Sequence, residues 1–355
     1  MSSPDRSSAA SWAVVLVVTA ATSALFELLG LPSPVLFGAL LGGMAHALTS
    51  GTVLGVPPTA FRVGQGLVGV TIGSMVSVAA LARMRTDLAP VLLVTLGTLA
   101  LSLLGGWLLS RHHDVSGVTG VFSLIAGGAS GVVAVAHELG ADDRVVTVVQ
   151  YLRVLLVLLA MPIVTATVFA SDHGLGQVRP GGSASLPVDL VYVGAALLGG
   201  LLLARLGVIP TGALLGPLAI AVVLSASGWL DFDRASVPVV LQWLAYLLIG
   251  VQVGLRFTRA SLASIARMLP LVVALIVSLI ALCAGLGALL TLTTGVDGLT
   301  AYLATTPGGL FAVLATAADS GSDVTYVMAV QIFRLLVILL LTPPLASWLR
   351  RARRG

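Results

Sequence analysis

Two arginines lie deep in apolar stretches of the chain and could supply positive charge at membrane depth. Arg153 lies nine residues into VVTVVQYLRVLLVLLAMPIV, and Arg334 lies about as deep in TYVMAVQIFRLLVILLLTPPL. At a helical rise of 1.5 Å per residue this depth is roughly 13–14 Å, near the centre of a bilayer. Because an arginine there costs about 2.5–3.5 kcal/mol, we expect each to face protein or water and to have a partner.

A glutamine precedes each arginine by three residues, so Gln150 and Gln331 share a helix face with Arg153 and Arg334. One hypothesis is functional: the pairs bind an anionic substrate, because arginine suits bidentate recognition of carboxylates. The other is structural: each arginine binds the carbonyl groups of a broken helix or pairs with a nearby acid. The acids in question are Glu138, Asp142, Asp319 and Asp323. The sequence leaves both hypotheses open, and they are compatible.

A glycine-rich segment precedes each of these helices, as LIAGGASGVVAVAHELG and ATTPGGLFAVLATAADSG. Glycine costs about 1 kcal/mol and proline about 3 kcal/mol in a helix interior, which predicts interrupted helices. Irregular backbone at membrane depth must be buried in protein or line a wet cavity, where free helix ends can bind ions. Alternatively, the glycines only allow close helix packing. The predicted substrate site comprises Gly127, Gly128, Ser130, Gln150, Arg153, Thr306, Gly308, Gly309, Gln331 and Arg334.

Acidic residues follow each glycine-rich segment. Glu138 and Asp319 are the candidates for a proton or cation relay, and we predict ion coupling there. Asp142 and Asp323 precede the arginine helices, where aspartate is a favoured N-cap. A solvated capping role is the alternative for all four carboxylates.

The composition is that of an integral membrane protein. The chain has 355 residues, a mean hydropathy of +1.09 and 9% charged residues, against roughly 25% in soluble domains. All 18 basic residues are arginines and the net charge is +4, which fits the orientation of a membrane protein by cytoplasmic arginines. The longest polar stretch, 171–187, is too short for a DNA-binding domain. Membrane lipid is therefore an expected partner and direct nucleic acid is not.

The chain contains twelve apolar segments that could lie in the membrane. They divide into a first membrane repeat (1–170), a linker (171–187), a second repeat (188–349) and a basic cytoplasmic tail (350–355). The segments are 12–30, 33–49, 62–82, 89–110, 117–137, 145–170, 188–206, 210–228, 238–255, 268–293, 298–318 and 325–348. The first is expected to be a retained membrane helix and not a cleaved leader.

The two halves are a duplication. Eight positions recur at a constant offset of 181, and internal repeats of this kind are typical of secondary transporters. The first copies are Gly127, Gly128, Glu138, Gly140, Asp142, Gln150, Arg153 and Pro162, and the second are Gly308, Gly309, Asp319, Gly321, Asp323, Gln331, Arg334 and Pro343.

The distribution of arginines predicts the topology. If all twelve segments cross, eight loop arginines lie inside and seven outside, whereas a re-entrant fifth segment in each half gives eleven inside and four outside. We therefore predict an all-α polytopic membrane protein of two inverted repeats, each with five crossings and one re-entrant or broken glycine-rich segment. Both termini would be cytoplasmic, in a bacterial inner membrane.

No enzyme chemistry is predicted. The histidines are dispersed without ligand spacing (His46, His112, His113, His137 and His173), and the lone cysteine, Cys283, lies in an apolar run. The glycine-rich segments match neither a dinucleotide nor a phosphate loop. We expect no cofactor, no metal site and no catalytic residues.

The glycine-rich loops, the L-G-A-D and S-G-x-D turns and the V-Q-x-x-R helices resemble those of the bacterial AbrB-type duplicated membrane family. The resemblance covers essentially the whole chain and is most specific at Gly127 to Pro162 and Pro307 to Pro343. The family also carries an ammonia monooxygenase label, whose copper or iron site the histidines do not supply. Family members have been called regulators of gene expression, which implies that this chain could be one.

The sequence therefore favours a secondary transporter of a small anionic or zwitterionic solute. The alternative is a membrane-embedded regulator of gene expression that acts indirectly and without transport. A small-molecule solute is the expected partner in the first case, and a homo-oligomer is compatible with both.

Overall fold

The computed structural model describes residues 6–50, 52–76, 86–125, 136, 139–169, 185–207, 211–227 and 229–352. In these ranges the regular structure is helical throughout, which confirms the predicted all-α class. The helices of the first half are α1 (Arg6–Leu28), α2 (Pro34–Thr49), α3 (Pro58–Met75), α4 (Leu88–Leu109), α5 (Gly117–Leu124) and α6 (Asp143–Thr167).

The second half contains the counterparts of these helices and two short helices whose equivalents in the first half fall mostly outside the described residues. They are α7 (Leu186–Ala204), α8 (Gly212–Ser227), α9 (Val239–Gly254), α10 (Arg259–Ser264), α11 (Leu269–Thr294), α12 (Gly298–Thr305), α13 (Leu310–Asp319) and α14 (Val324–Ala352). Only α10 has no counterpart among the twelve predicted segments. A 3-10 turn at Trp229–Asp231 precedes α9.

The predicted break in the glycine-rich segment is present in the second half. Helix α12 ends at Thr305, residues 306–309 are not helical, and α13 begins at Leu310. In the first half α5 ends at Leu124, and most of the segment after it, including Gly127, Gly128, Ser130 and Glu138, lies outside the described residues.

Four pairs of helices start at the offset of 181 residues that the sequence shows. Helices α9, α11, α12 and α14 each begin 181 residues after α3, α4, α5 and α6. The caps correspond as well: Ser116 Oγ accepts from Thr119 N at the start of α5, and Asp297 accepts from Leu299 N and Thr300 N at the start of α12. Local capping chemistry therefore starts the broken segment at equivalent places in both halves.

The protein is a polytopic membrane protein. Five of the described helices are long and apolar enough to cross a bilayer, and large apolar side chains such as Leu28 and Leu292 are exposed as on a lipid-facing surface. The five candidate spans are Ala10–Leu28, Leu88–Leu109, Asp143–Thr167, Leu186–Ala204 and Leu269–Thr294.

The chain forms two compact units that do not coincide with the two repeats. The first unit comprises Met1–Val78, Pro162–Thr258 and Leu314–Thr325, and the second comprises Ala79–Met161, Arg259–Val313 and Tyr326–Gly355. Helices α1–α3 and α7–α9 therefore belong to the first unit. Each unit takes matching helices from both repeats.

The first unit is assembled by reciprocal contacts between the repeats. Helix α2 packs on α9, and α8 packs on α3. A Cβ added to Gly250 on α9 would lie 2.4 Å from the carbonyl oxygen of Leu36 on α2, and one added to Gly69 on α3 would lie 2.3 Å from that of Leu214 on α8. Helix backbones approach this closely only where the side chain is missing.

Gly250→Ala is expected to lower the melting temperature of the detergent-solubilised protein, because the new methyl group would have to push apart α9 and α2. Gly194→Ala on α7 is the matched control, since a Cβ there meets nothing within 4 Å. The control should be neutral or stabilised by up to about 1 kcal/mol, the helix propensity difference. Equal effects of the two substitutions in thermal unfolding would contradict this packing.

The second unit places the broken segments against a long helix from each repeat. Helix α4 packs on α5, and α11 packs on α12. Gly106 on α4 and Gly120 on α5 face each other, and Gly287 on α11 faces Ala301 on α12 at positions 181 further on. An apolar cluster that includes Val118, Phe122 and Val146 adds α6 to the first of these contacts.

Candidate functional site

The site is built at the C-terminal ends of the two short helices. Helices α5 and α12 stop inside the protein, so their last carbonyl groups have no partner within the helix. In the first repeat the partners come from α6. Gln150 Nε2 donates to the carbonyl oxygen of Phe122 at 2.9 Å, and an Arg153 terminal nitrogen, Nη1, donates to that of Leu124 at 2.9 Å.

The second repeat uses the same residue types in the same way. Gln331 Nε2 donates to the carbonyl oxygen of Leu303 at 2.9 Å and to that of Thr306 at 3.3 Å. Arg334 Nη1 donates to the Thr306 carbonyl oxygen at 2.8 Å, and its Nη2 donates to Gln331 Oε1. The glutamine and arginine of each pair therefore act on one helix end, and the structural role considered for the arginines is present.

Both arginines are buried without an acidic partner in the described part of the chain. Arg153 is 4% exposed and Arg334 is 5% exposed. The ion pairs found in those ranges involve other residues. Each helix end carries roughly half a negative charge, so the two ends offset about one of the two positive charges. The alternative considered for the arginines was an ion pair with Asp142, Asp319 or Asp323. No such ion pair is observed among the described residues.

Two polar atoms of the first pair are buried and have no hydrogen-bond partner among the residues that the structure describes. They are Arg153 Nε, a donor, and Gln150 Oε1, an acceptor. Leaving such a group unpaired costs about 1–3 kcal/mol, more for a charged one. A ligand with both an anionic oxygen and an N–H or O–H group has the chemistry to satisfy them.

The turn between α12 and α13 brings the two arginines to one place. Gly308 has a φ of 136° and Gly309 a φ of 70°, values that favour glycine. A Cβ on Gly308 would lie 3.3 Å from Arg153 Nε, while Arg334 binds the carbonyl of Thr306 two residues earlier. Arg153, Arg334, Thr306 and Gly308 are therefore neighbours. Gly309 packs toward Leu158 on α6.

A second polar cluster lies in the first compact unit around Asp319. Its Oδ2 accepts a hydrogen bond from Ser33 Oγ at 2.5 Å, and its Oδ1 accepts one from the Tyr246 hydroxyl at 3.4 Å. Ser33 precedes α2 with a φ of 49° and makes no capping bond. A left-handed serine costs about 1–3 kcal/mol. Sequence reasoning selected Asp319 but missed Ser33 and Tyr246, which carry no local signal.

Asp142 is a helix cap, as predicted. Its Oδ1 accepts from Arg144 N at 2.9 Å and Val145 N at 3.3 Å, and its own N–H donates to Thr119 Oγ1 at 3.0 Å. Thr119 lies in the first turn of α5, so the chain between Thr119 and Asp142 begins and ends at the same place. The ends of a crossing segment would lie about 30 Å apart. Asp323 immediately precedes α14.

The other residues considered for chemistry are a histidine pair with an aspartate after α4 and the lone cysteine, which interacts electrostatically with Arg153 and Arg334. His112, His113 and Asp114 follow α4, with His113 Nε2 3.2 Å from an Asp114 oxygen. Their ligand atoms could converge on a metal ion, but His113 and Asp114 are exposed, as expected for a solvated loop. Cys283 is a buried free thiol on α11.

These features define a helical, multi-pass membrane protein with polar side chains at broken helices. The chain belongs to the AbrB family, because residues 36–350 match the family described as "Transition state regulatory protein AbrB". The resemblance noted in the sequence is thereby confirmed.

Relatives and a solved structure resemble the chain over most of its length. "Putative regulator AbrB" of Escherichia coli (strain K12) is 34% identical over 343 residues, covering 95% of this chain and 96% of the relative. "Uncharacterized protein YhjN" of Bacillus subtilis (strain 168) is 24% identical over 297 residues, covering 79% and 76%. The sodium proton antiporter MjNhaP1 from Methanocaldococcus jannaschii is 15% identical with a TM-score of 0.47, covering 95% of this chain and 98% of that one.

Proposed function

We propose that the protein is a secondary transporter of a small anionic or zwitterionic solute. The observation that carries the proposal is the pair of buried guanidinium groups, Arg153 and Arg334, at one helix break without a carboxylate partner among the described residues. An uncompensated buried charge is costly, and ionisable residues inside membrane segments mark solute pathways. A bound anion would supply the missing charge.

The binding roles follow from the hydrogen-bonding capacity of the site that the described protein groups leave unused. Arg153 and Arg334 would bind the negative group, since a guanidinium has five N–H donors and only some are used by carbonyls. Gln150 Oε1 would accept from an N–H or O–H of the solute. The second repeat would shape one side of the solute site with Thr306, Gly308, Gly309 and Gln331. The first repeat would contribute Gly127, Gly128 and Ser130 from its own glycine-rich segment.

The proposal includes the membrane arrangement and the coupling. Ten crossings with both termini in the cytoplasm fit the arginine distribution, and the contact between Asp142 and Thr119 supports a re-entrant fifth segment. The membrane would be the bacterial inner membrane. Asp319 would couple an ion to transport, and Glu138 is its counterpart in the first repeat. The proposal assigns no enzymatic step and no cofactor.

A membrane-embedded regulator that binds a solute without moving it is the second candidate. It is favoured by the descriptions of the family and of the Escherichia coli relative, which name regulation. Both candidates predict solute binding, and only the first predicts flux.

A thermal-shift screen of small carboxylates, amino acids and inorganic anions should find a ligand that raises the melting temperature. Binding at a hundred times Kd stabilises by about 2.7 kcal/mol. The shift should disappear in Arg153→Gln and Arg334→Gln and persist in Arg111→Gln, an exposed arginine stacked on Trp107. Protection that survives in both buried-arginine variants would exclude this site.

A further inference from the structure

We infer that Asp319, Ser33 and Tyr246 form a proton-binding site in the first compact unit, in which the Asp319 carboxyl gains and loses a proton. The inference rests on the proposed function for its use in coupling, because a transporter needs an ion to drive it. The existence of the site does not depend on a solute.

The hydrogen bonds around Asp319 suit both protonation states. Each carboxylate oxygen faces a hydroxyl from a different element, Ser33 at the start of α2 and Tyr246 within α9. A hydroxyl can donate to a carboxylate and can accept from a carboxylic acid. Proton uptake at Oδ2 would therefore reverse the bond to Ser33, with Asp319 as the donor, and leave the partners in place.

Among the described residues, Asp319 makes no ion pair that would hold it in its charged state. Tyr246 is the titratable group that faces it from α9, and Ser33 is neutral. His46, the titratable group of α2, bonds to Thr52. Asp323 lies four residues after Asp319 along the chain. Burial disfavours a carboxylate and hydroxyl donors favour it, so the two effects oppose each other.

Ser33 provides an independent sign that the contact is functional. It occupies the N-cap position of α2, where serine ordinarily accepts a hydrogen bond from the first turn. Its side chain makes no capping bond, because the hydroxyl is turned to Asp319, and its backbone is left-handed, as is that of Thr211 before α8. Such strain persists where surrounding structure imposes it, and it clusters at functional sites.

The geometry favours a proton over a metal cation. Hard divalent cations take about six to eight oxygen ligands at about 2.3–2.6 Å. The cluster has two hydroxyls and one carboxylate, and Ser33 Oγ lies directly against Oδ2 at 2.5 Å. A metal ion between these two oxygens would have to displace their hydrogen bond.

Infrared spectroscopy of the full-length protein in detergent, titrated over pH, tests the inference through the carbonyl stretch of protonated carboxylic acids. The wild type should show a titrating band that is absent in Asp319→Asn. Asp189→Asn is the matched control, because Asp189 is a buried carboxyl of the same unit bound to Ser236 N at 2.8 Å. The band of Asp319 should persist in that variant.

Ser33→Ala keeps the carboxyl and removes one donor to its charged form. The midpoint of the band should move upward by about one pH unit, the equivalent of one hydrogen bond to a charged group. Tyr246→Phe should move it less, because that bond is 3.4 Å long against 2.5 Å. Ser33→Ala and Tyr246→Phe therefore test the inference even if Asp319→Asn does not fold.

Three results would overturn the inference. They are the same titrating bands in wild type and Asp319→Asn, an unchanged midpoint in Ser33→Ala, and a midpoint moved by sodium in place of choline at constant ionic strength. The last would indicate a metal cation. None of these measurements uses a solute, so a failed proton site and a failed anion site at the arginines are separately detected.

Discussion

Arg334→Gln is expected to weaken anion binding strongly and to destabilise the protein. Losing one partner of a buried charged contact costs about 2–5 kcal/mol, so affinity should fall by on the order of a hundred-fold. The same change leaves the Thr306 carbonyl with a single longer bond and removes the partner of Gln331 Oε1. Isothermal titration with the anion from the thermal-shift screen, together with denaturation without it, measures both effects.

Arg153→Gln separates the two roles of the arginines. Among the described residues, Arg153 donates to the Leu124 carbonyl, and Arg334 donates to the Thr306 carbonyl and to Gln331 Oε1. Both variants should lose the anion, and Arg334→Gln should in addition leave Gln331 Oε1 without this donor, at a cost of about 1 kcal/mol. If the two variants lose stability and still bind the anion as the wild type does, the arginines serve only the broken helices.

Gly308→Ala is expected to disturb the site through Arg153. Its φ of 136° is rarely adopted by L side chains, and the new Cβ would lie 3.3 Å from Arg153 Nε. The backbone strain alone costs about 1–3 kcal/mol. Arg153 Nε would have to shift by a few tenths of an ångström, so anion binding should weaken together with stability. Isothermal titration and thermal unfolding of the same preparation measure the two losses.

Gly295→Ala at the end of α11 is the matched control for this effect. Its φ of 71° also makes alanine unfavourable, by about 1–2 kcal/mol, but the added Cβ meets nothing within 4 Å. It should lower stability while binding persists. Equal loss of binding in both variants would mean that Gly308 acts through general destabilisation and not through Arg153.

The arrangement of the broken helices could be predicted because local signals produce it. Glycine and proline at 306–309 interrupt the helix, Asp142 starts α6, and a spacing of three places Gln331 and Arg334 on one face. The glycine pair, the aspartate before the helix and the Gln–Arg pair each occur twice, at a constant offset of 181 residues. Binding to broken-helix carbonyls was one of the two hypotheses, and the structure identified the carbonyls of Leu124 and Thr306 as the ones that the arginines contact.

The cluster around Asp319 could not be predicted, because it joins three distant parts of the chain. Ser33 precedes α2, Tyr246 lies within α9, and Asp319 ends α13. Nothing in their local sequences indicates contact. The same holds for the compact units, which mix helices of both repeats through reciprocal backbone contacts at glycines such as Gly69 and Gly250.

The arginines illustrate how one side chain can serve both structure and binding. A broken helix needs donors for its last carbonyls, and a guanidinium provides them with N–H groups to spare. The positive charge that comes with these donors exceeds what two helix ends offset. In this account the solute anion completes a charge balance that the fold leaves open.

Gradient-driven uptake in liposomes tests the central claim most directly. The protein is reconstituted with the anion found by thermal shift, and uptake is measured for wild type, Arg334→Gln and the Arg111→Gln control, each selected as a monodisperse preparation. Wild type and Arg111→Gln should accumulate the anion under an imposed proton gradient, and Arg334→Gln should match empty liposomes. Tight binding by the wild type without any flux would contradict transport and leave the regulator as the function.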